Sequence, residues 1–218
     1  MVRYESIDFM KGVAVILMII FHIFYFPHQY GFREFNFNTI PLTITARVAQ
    51  IIFITCVGIN MYISYNNYLK KNKNNTKYDF YKKYAIRLLK LGGYAVLISL
   101  FSYFIFGYKF VKFGILHFIT ASSFLLLLFI DKQVALTIII SGILLLKYFN
   151  NKNPGILLRK SPKTAFITGI YSVYPAVDHF PFIPWIALIS GGLLAGKYIV
   201  NTEFKESNTY NKIKNNFI

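Results

Sequence analysis

The sequence predicts an all-α fold, a polytopic integral membrane helical bundle of about six transmembrane helices, on three observations. Apolar runs repeatedly reach about 18 to 22 residues, the length that crosses a hydrocarbon core of about 30 Å. Of the 218 residues, 56% are hydrophobic and only 15% charged, where a soluble domain carries about 25%. Mean hydropathy is accordingly high, at +0.48. The 24 Lys and Arg residues, against 8 acidic ones, sit mostly between the apolar runs. That placement is how membrane chains carry orientation signals. No RNA- or DNA-reading motif accompanies the net charge of +16, so nucleic acid is not an expected partner.

The first span is expected at Ile7–Phe26, stopping at Pro27. Arg3 and Lys11 ahead of an apolar stretch resemble a signal peptide, but Glu5 and Asp8 interrupt the charged part. No small-residue cleavage site comes after it, so the segment reads as a retained helix. The second span is expected at Pro41–Tyr65, with Pro41 suited to a first turn. The third covers Tyr84–Phe106, the fourth Phe113–Ile130, the fifth Gln133–Phe149 and the sixth Ile183–Val200. Thr164–Pro181 is apolar but broken by Gly169, Pro175 and Pro181, and reads as a re-entrant or interfacial segment, with a seventh crossing as the alternative. Residues 1–204 form one membrane domain in this reading, and 205–218 a short cytoplasmic tail.

The longest basic loop, Lys70 to Lys90, sets that stretch and the N-terminus on the cytoplasmic side, most simply of the cell membrane. Lys152, Arg159, Lys160 and Lys163 then lie outside, against the rule. Either Thr164–Pro181 changes the count, or those cations face an anionic substrate or lipid. Cys56, the single cysteine, lies in an apolar run and reads as a small buried hydrophobe, which leaves no disulfide or thiolate metal site within one chain.

Ionisable groups inside membrane helices are costly, so each is a functional candidate. They are Asp8, Lys11, His22, Arg47, His117, Asp178 and His179. Alternating topology puts His22, Arg47, His117, Asp178 and His179 in the outer part of the membrane, and Asp8 and Lys11 at the inner end of the first helix. Lys11 and His22 are eleven positions apart, about three turns and about 16 Å on one helix face.

A neutral imidazole at His22 can take a proton from an attacking hydroxyl or amine, or accept an acyl group itself. Its bland alternative is an interfacial ring bonded to a neighbouring carbonyl. Asp178 suits the third member of a triad, or a turn residue ahead of Pro181. His117 comes three residues after Gly114, which permits close approach, and suits a second catalytic imidazole or an oxyanion donor. Arg47 suits carboxylate or phosphate binding, or interfacial anchoring. No metal is expected.

The opening Ile7-Asp8-Phe9-Met10-Lys11-Gly12-Val13-Ala14-Val15-Ile16-Leu17-Met18, followed by His22, resembles the first helix of the transmembrane acyltransferases. There an arginine commonly stands in the place of Lys11, with a histidine eleven positions later. The pattern is most similar to bacterial and archaeal relatives of the heparan-alpha-glucosaminide N-acetyltransferase catalytic domain. Val57-Gly58-Ile59, Phe113-Gly114-Ile115-Leu116-His117-Phe118-Ile119 and Asp178-His179-Phe180-Pro181-Phe182-Ile183-Pro184-Trp185 agree with it.

The resemblance implies a helical membrane enzyme that takes an acyl group from acyl-coenzyme A, typically acetyl-CoA, at the cytoplasmic side and passes it to a sugar or glycan on the far side. It makes His22 the essential histidine, gives His117 and Asp178 site roles, and leaves Asp8, Lys11, Arg47 and His179 as substrate-binding candidates. Membrane lipid is a further partner, and the short chain leaves room for a second copy to complete the acceptor site. A six-helix small-solute transporter or substrate-binding subunit is the alternative. A haem carrier using His22 and His117 ranks below it, with no haem motif to support it.

Overall fold

Caps and turn residues, more than apolar content, decide where the helices of this chain begin and end. A computed structural model describes residues 4–29, 32, 40–71, 74–152 and 178–216. Among these, six helices succeed one another: α1 (Glu5–Gln29), α2 (Ile40–Lys71), α3 (Lys77–Phe106), α4 (Ile115–Leu127), α5 (Gln133–Lys152) and α6 (Phe182–Asn216). No strand occurs among the described residues, and the all-α membrane class holds. Residues 164–177 of the broken apolar segment, and Arg159, Lys160 and Lys163, lie outside the described residues. The chain divides into two compact units, Met1–Val57 and Gly58–Ile218, the division falling within α2.

In the first unit, α1 carries Pro27 inside its last turn and continues to Gln29, past the expected stop. A proline inside a helix removes one backbone bond and kinks the adjoining turn, but here only two helical residues remain beyond it. The amide of Phe32 closes the end by donating to Pro27 O at 3.0 Å. Ile7 and Ala14 are buried on α1, seven residues apart and therefore on one stripe. Phe9, Ile16, Ile19 and Ile23 are exposed and apolar, as lipid-facing positions are.

In the second unit, α3 starts with a reciprocal capping box. Asp79 N donates to Thr76 Oγ1 and Thr76 N donates to Asp79 Oδ2, both at 3.2 Å. The basic stretch Lys70–Lys90, expected as a loop, is therefore mostly helix: the end of α2, a short connection and the first half of α3. Leu88, Ala95 and Ser102 are buried at seven-residue intervals, one narrow inward stripe. Against it packs α4, buried through Phe118, Ser122 and Leu126 and through Ile119, Ser123 and Leu127, two rows four residues apart. α4 also meets α6, and α6 meets α5.

Four helical stretches are long and apolar enough to span a membrane: Glu5–His28, Ile40–Lys71, Lys77–Lys109 and Phe182–Thr202. The apolar part of α5, Gln133–Leu146, is shorter, and α4 is shorter still. The expected fourth span, Phe113–Ile130, shrinks at both ends, because Phe113 is extended and residues 128–130 form a turn. Thirteen helical residues rise only about 20 Å, about 10 Å less than a hydrocarbon core.

The crossing of α2 and α6 is a contact of backbones. A Cβ on Gly58 would stand 2.2 Å from Ile189 O and 2.9 Å from Gly192 Cα, and one on Gly196 would stand 2.8 Å from Ile59 O. Gly192 and Gly196 make a small-xxx-small pair on α6, the pattern that lets membrane helices approach closely. Between α2 and α3, Phe80 is buried against the rings of Tyr65 and Tyr68, at centroid distances of 5.2 and 5.7 Å. Close by, Lys77 at the head of α3 forms an ion pair with Asp131 in the turn after α4.

Gly58→Ala is expected to destabilise the protein by about 1–3 kcal/mol through overpacking, read as a lower midpoint of thermal unfolding in detergent. Gly93→Ala, with nothing within 4 Å of the added methyl, should leave the midpoint unchanged or raise it.

The ion pair gives a second prediction. The bond from Lys77 holds the Asp131 carboxyl below the usual carboxylate range. A folded pKa below the unfolded one gives stability that is complete above about pH 4 and is lost as pH falls through the folded value. Between about pH 6 and about pH 2, unfolding midpoints should therefore fall further for the wild type than for Asp131→Asn.

Candidate functional site

In the second unit the chain leaves α3 at Gly107, whose φ of 56° suits a residue without a side chain. A 3-10 turn, Gly107–Lys109, comes next, and residues 110–114 lead to the head of α4. Two hydroxyls of α3 fasten this connection. Ser99 Oγ donates to Val111 O at 2.6 Å. Ser102 Oγ accepts from Val111 N at 3.0 Å and donates to Ser99 O at 2.9 Å. Both backbone polar groups of Val111 are thus satisfied by side chains.

The next residues pair with the stretch ahead of α6. Phe113 and His179 form an isolated parallel bridge, and Phe180 N donates to Phe113 O at 2.7 Å. α4 then starts at Gly114, which has no side chain with which to cap the helix. The cap comes from 63 residues away, where Asp178 Oδ2 accepts from Ile115 N at 3.3 Å. A carboxylate is favoured there by the exposed amides and by the positive end of the helix dipole. Gly114 is buried, and a Cβ on it would stand 2.5 Å from Asp178 Oδ2 and 2.8 Å from Val111 Cγ1.

His117 sits in the first turn of α4, with Nε2 3.3 Å from Ser99 Oγ and its ring 5.8 Å from that of Phe113. Asp178 is near enough to interact with it electrostatically. Behind them, fully buried Phe118 contacts the rings of Phe180 and Phe182 at 5.2 and 6.0 Å, and Phe180 lies 4.6 Å from Trp185. The stretch from Asp178 to Trp185 is therefore pinned to α4 by apolar rings as well as by the backbone pair.

The first unit holds the other candidates. On α1, His22 Nδ1 lies 2.7 Å from Met18 O, which can only accept, so in the neutral ring Nδ1 carries the proton and Nε2 the lone pair. Its ring lies among Phe21, Tyr25 and Phe26 at centroid distances of 5.5, 6.1 and 5.1 Å. Lys11 Nζ is 2.6 Å from Asp8 Oδ1, so any anion binding Lys11 must share it with that carboxylate. Lys11 and His22 ride on one continuous helix, about 16 Å apart along its axis. Arg47, on α2, is exposed and donates to Gln50 Oε1 at 3.2 Å.

Of the residues singled out by sequence, the structure brings His117, Asp178 and His179 to the head of α4, and Asp8 to Lys11. Ser99, Ser102 and the steric role of Gly114 escape a search for ionisable groups. The signal that finds the serines is two hydroxyls three residues apart within an apolar helix. Among the described residues, no group of three His, Cys, Asp or Glu side chains is placed to hold a metal ion.

A helical membrane protein with a carboxylate, an imidazole and a hydroxyl gathered at the head of a short apolar helix is the class defined so far. The chain belongs to the family described as heparan-alpha-glucosaminide N-acetyltransferase, catalytic, whose model matches residues 3–218. It is thus an acyltransferase-type integral membrane protein, as the first-helix resemblance implies. No curated protein and no solved structure matches the chain.

The cap can be probed at both partners. Gly114→Ala should force Asp178 off the amide of Ile115, and Asp178→Ala should remove the cap outright, each costing about 1–2 kcal/mol of stability. Asp178→Asn keeps an accepting oxygen and should cost less by the same thermal unfolding measurement.

Proposed function

We propose that the protein moves an acetyl-type group from acyl-coenzyme A, in the first instance acetyl-CoA, to a hydroxyl or amine of a sugar or glycan acceptor. The observation that carries this reading is the carboxylate-capped, imidazole-bearing head of α4 in a chain that belongs to an acetyltransferase family. The acceptor oxygen or nitrogen attacks the thioester carbonyl. A C–O or C–N bond forms, the C–S bond breaks, and the acceptor's proton passes through an imidazole to the departing coenzyme A thiolate.

Roles can be assigned residue by residue. His22, with its lone pair on Nε2, is the general base, or carries the acyl group between donor and acceptor. His117 is a second imidazole for proton transfer, and Asp178, bonded to the amide of Ile115, holds the head of α4 beside it. Lys11, beside Asp8, contributes to holding the donor's phosphates. Arg47 and His179 are acceptor-side candidates. The basic residues at the end of α2 and in the first half of α3 face the cytoplasm of the cell, on the same side as the N-terminus, where acyl-coenzyme A is made available.

The test is acetyl transfer to glucosamine by detergent-purified protein, read by chromatography of the acetylated sugar, beside calorimetric titration with acetyl-CoA. His22→Ala should lower transfer by about 10²–10⁴-fold while still binding acetyl-CoA. Lys11→Ala should weaken that binding. Undiminished transfer by folded His22→Ala would remove His22 from the mechanism, and no acetyl-CoA binding by folded wild type would overturn the donor assignment.

A further inference from the structure

Two hydroxyls of α3 and one carbonyl of the α3–α4 connection determine which nitrogen of neutral His117 carries a proton. Ser99 has a single hydroxyl proton and two lone pairs. Val111 O, 2.6 Å away, has lone pairs only, so the Ser99 proton must lie between these two oxygens. Were it elsewhere, two bare oxygens would face each other at hydrogen-bond distance.

Val111 is not free to turn its carbonyl away. Its amide donates to Ser102 Oγ, and buried Ser102 in turn donates to Ser99 O, which closes a ring of three bonds. With its proton committed, Ser99 Oγ offers only a lone pair to His117 Nε2 at 3.3 Å. A bare Nε2 would set lone pair against lone pair, whereas Nε2–H makes a hydrogen bond.

We infer that Ser99 is a positioning residue that fixes the tautomer of His117, with the proton on Nε2 and the lone pair on Nδ1. The functional half of this inference rests on the acetyl-transfer reading: Nδ1 is then the atom of His117 that accepts the acceptor's proton. Neutral His117 offers a reacting oxyanion no N–H from Nδ1, so its part is proton transfer and not oxyanion stabilisation. When Nδ1 takes up a proton, the Nε2–H···Oγ bond persists unchanged. The imidazolium that forms during transfer needs no rearrangement of its surroundings, which is the condition for efficient general-base work.

The experiment is nitrogen-15 NMR of the histidine rings in the full chain, purified in detergent and held at about pH 8.5, where an ordinary histidine is neutral. The His117 signals are assigned by their loss in His117→Gln. The expected result is a protonated Nε2 and an unprotonated Nδ1 at His117 in the wild type. The tautomer ratio should shift by about tenfold in Ser99→Ala, the size of one lost hydrogen bond, and return toward wild type in Ser99→Thr, which restores the hydroxyl.

A protonated Nδ1 in the wild type, or a ratio unchanged in folded Ser99→Ala, overturns the inference. If Ser99→Ala does not fold, the wild-type and Ser99→Thr spectra decide it alone. The ring signals need no turnover, so failure of the tautomer assignment and failure of acetyl transfer are separately visible.

Discussion

A helix that begins inside an apolar layer has several amides with no water to bind, and each one left unsatisfied costs about 1–3 kcal/mol or more. α4 is such a helix. The Lys77–Asp131 ion pair ties one end of it to a polar boundary, and its thirteen residues then carry the other end only about 20 Å away. Glycine at that end supplies no cap. The protein satisfies the first of these amides from elsewhere in the sequence, with the Asp178 carboxylate on Ile115 N, while a bond from Phe180 N to Phe113 O holds the two stretches together. The bonds of Ser99, Ser102 and Asp178 all serve this end of α4 and the connection that leads to it.

The same requirement assembles the chemistry. Bringing Asp178 to the head of α4 places a negative charge beside the first turn, where His117 is the ionisable side chain. Approach of the carboxylate excludes any side chain at position 114. Fixing the connection ahead of the helix requires hydroxyls on α3, and one of these reaches His117. Structural demands and the proposed chemistry thus fall on the same few residues. In the first unit, His22 is held differently, through a bond to its own helix at Met18 O and a surround of aromatic rings.

Long apolar runs announce α1, α2, α3 and α6, because spanning helices need little beyond length and apolar content. The start of α3 is also written in the sequence, as Thr76 with Asp79 three residues later. The density of lysines around it reads as a loop only when charge is weighed above capping. The shortness of α4 is not visible, because Phe113 and residues 128–130 are as apolar or as bland as the helix itself. At the site, depth along the spans groups His117, Asp178 and His179, since ionisable groups are conspicuous among apolar residues. Depth does not show that Phe113-Gly114 and Asp178-His179 share a backbone pair, and hydroxyls such as Ser99 are common enough in membrane helices to pass unremarked.

Where α2 crosses α6, the touching atoms belong to the main chain on both sides. Two side chains in contact can exchange sizes over evolutionary time, one growing as the other shrinks. Main-chain atoms admit no such trade, since no mutation shrinks a carbonyl. Positions 58 and 196 therefore have no compensating partners: drift at either must be absorbed by moving a whole helix. In a set of related sequences this crossing would register as fixed letters and not as paired substitutions. Covariation would be silent at one of the closest contacts in the fold.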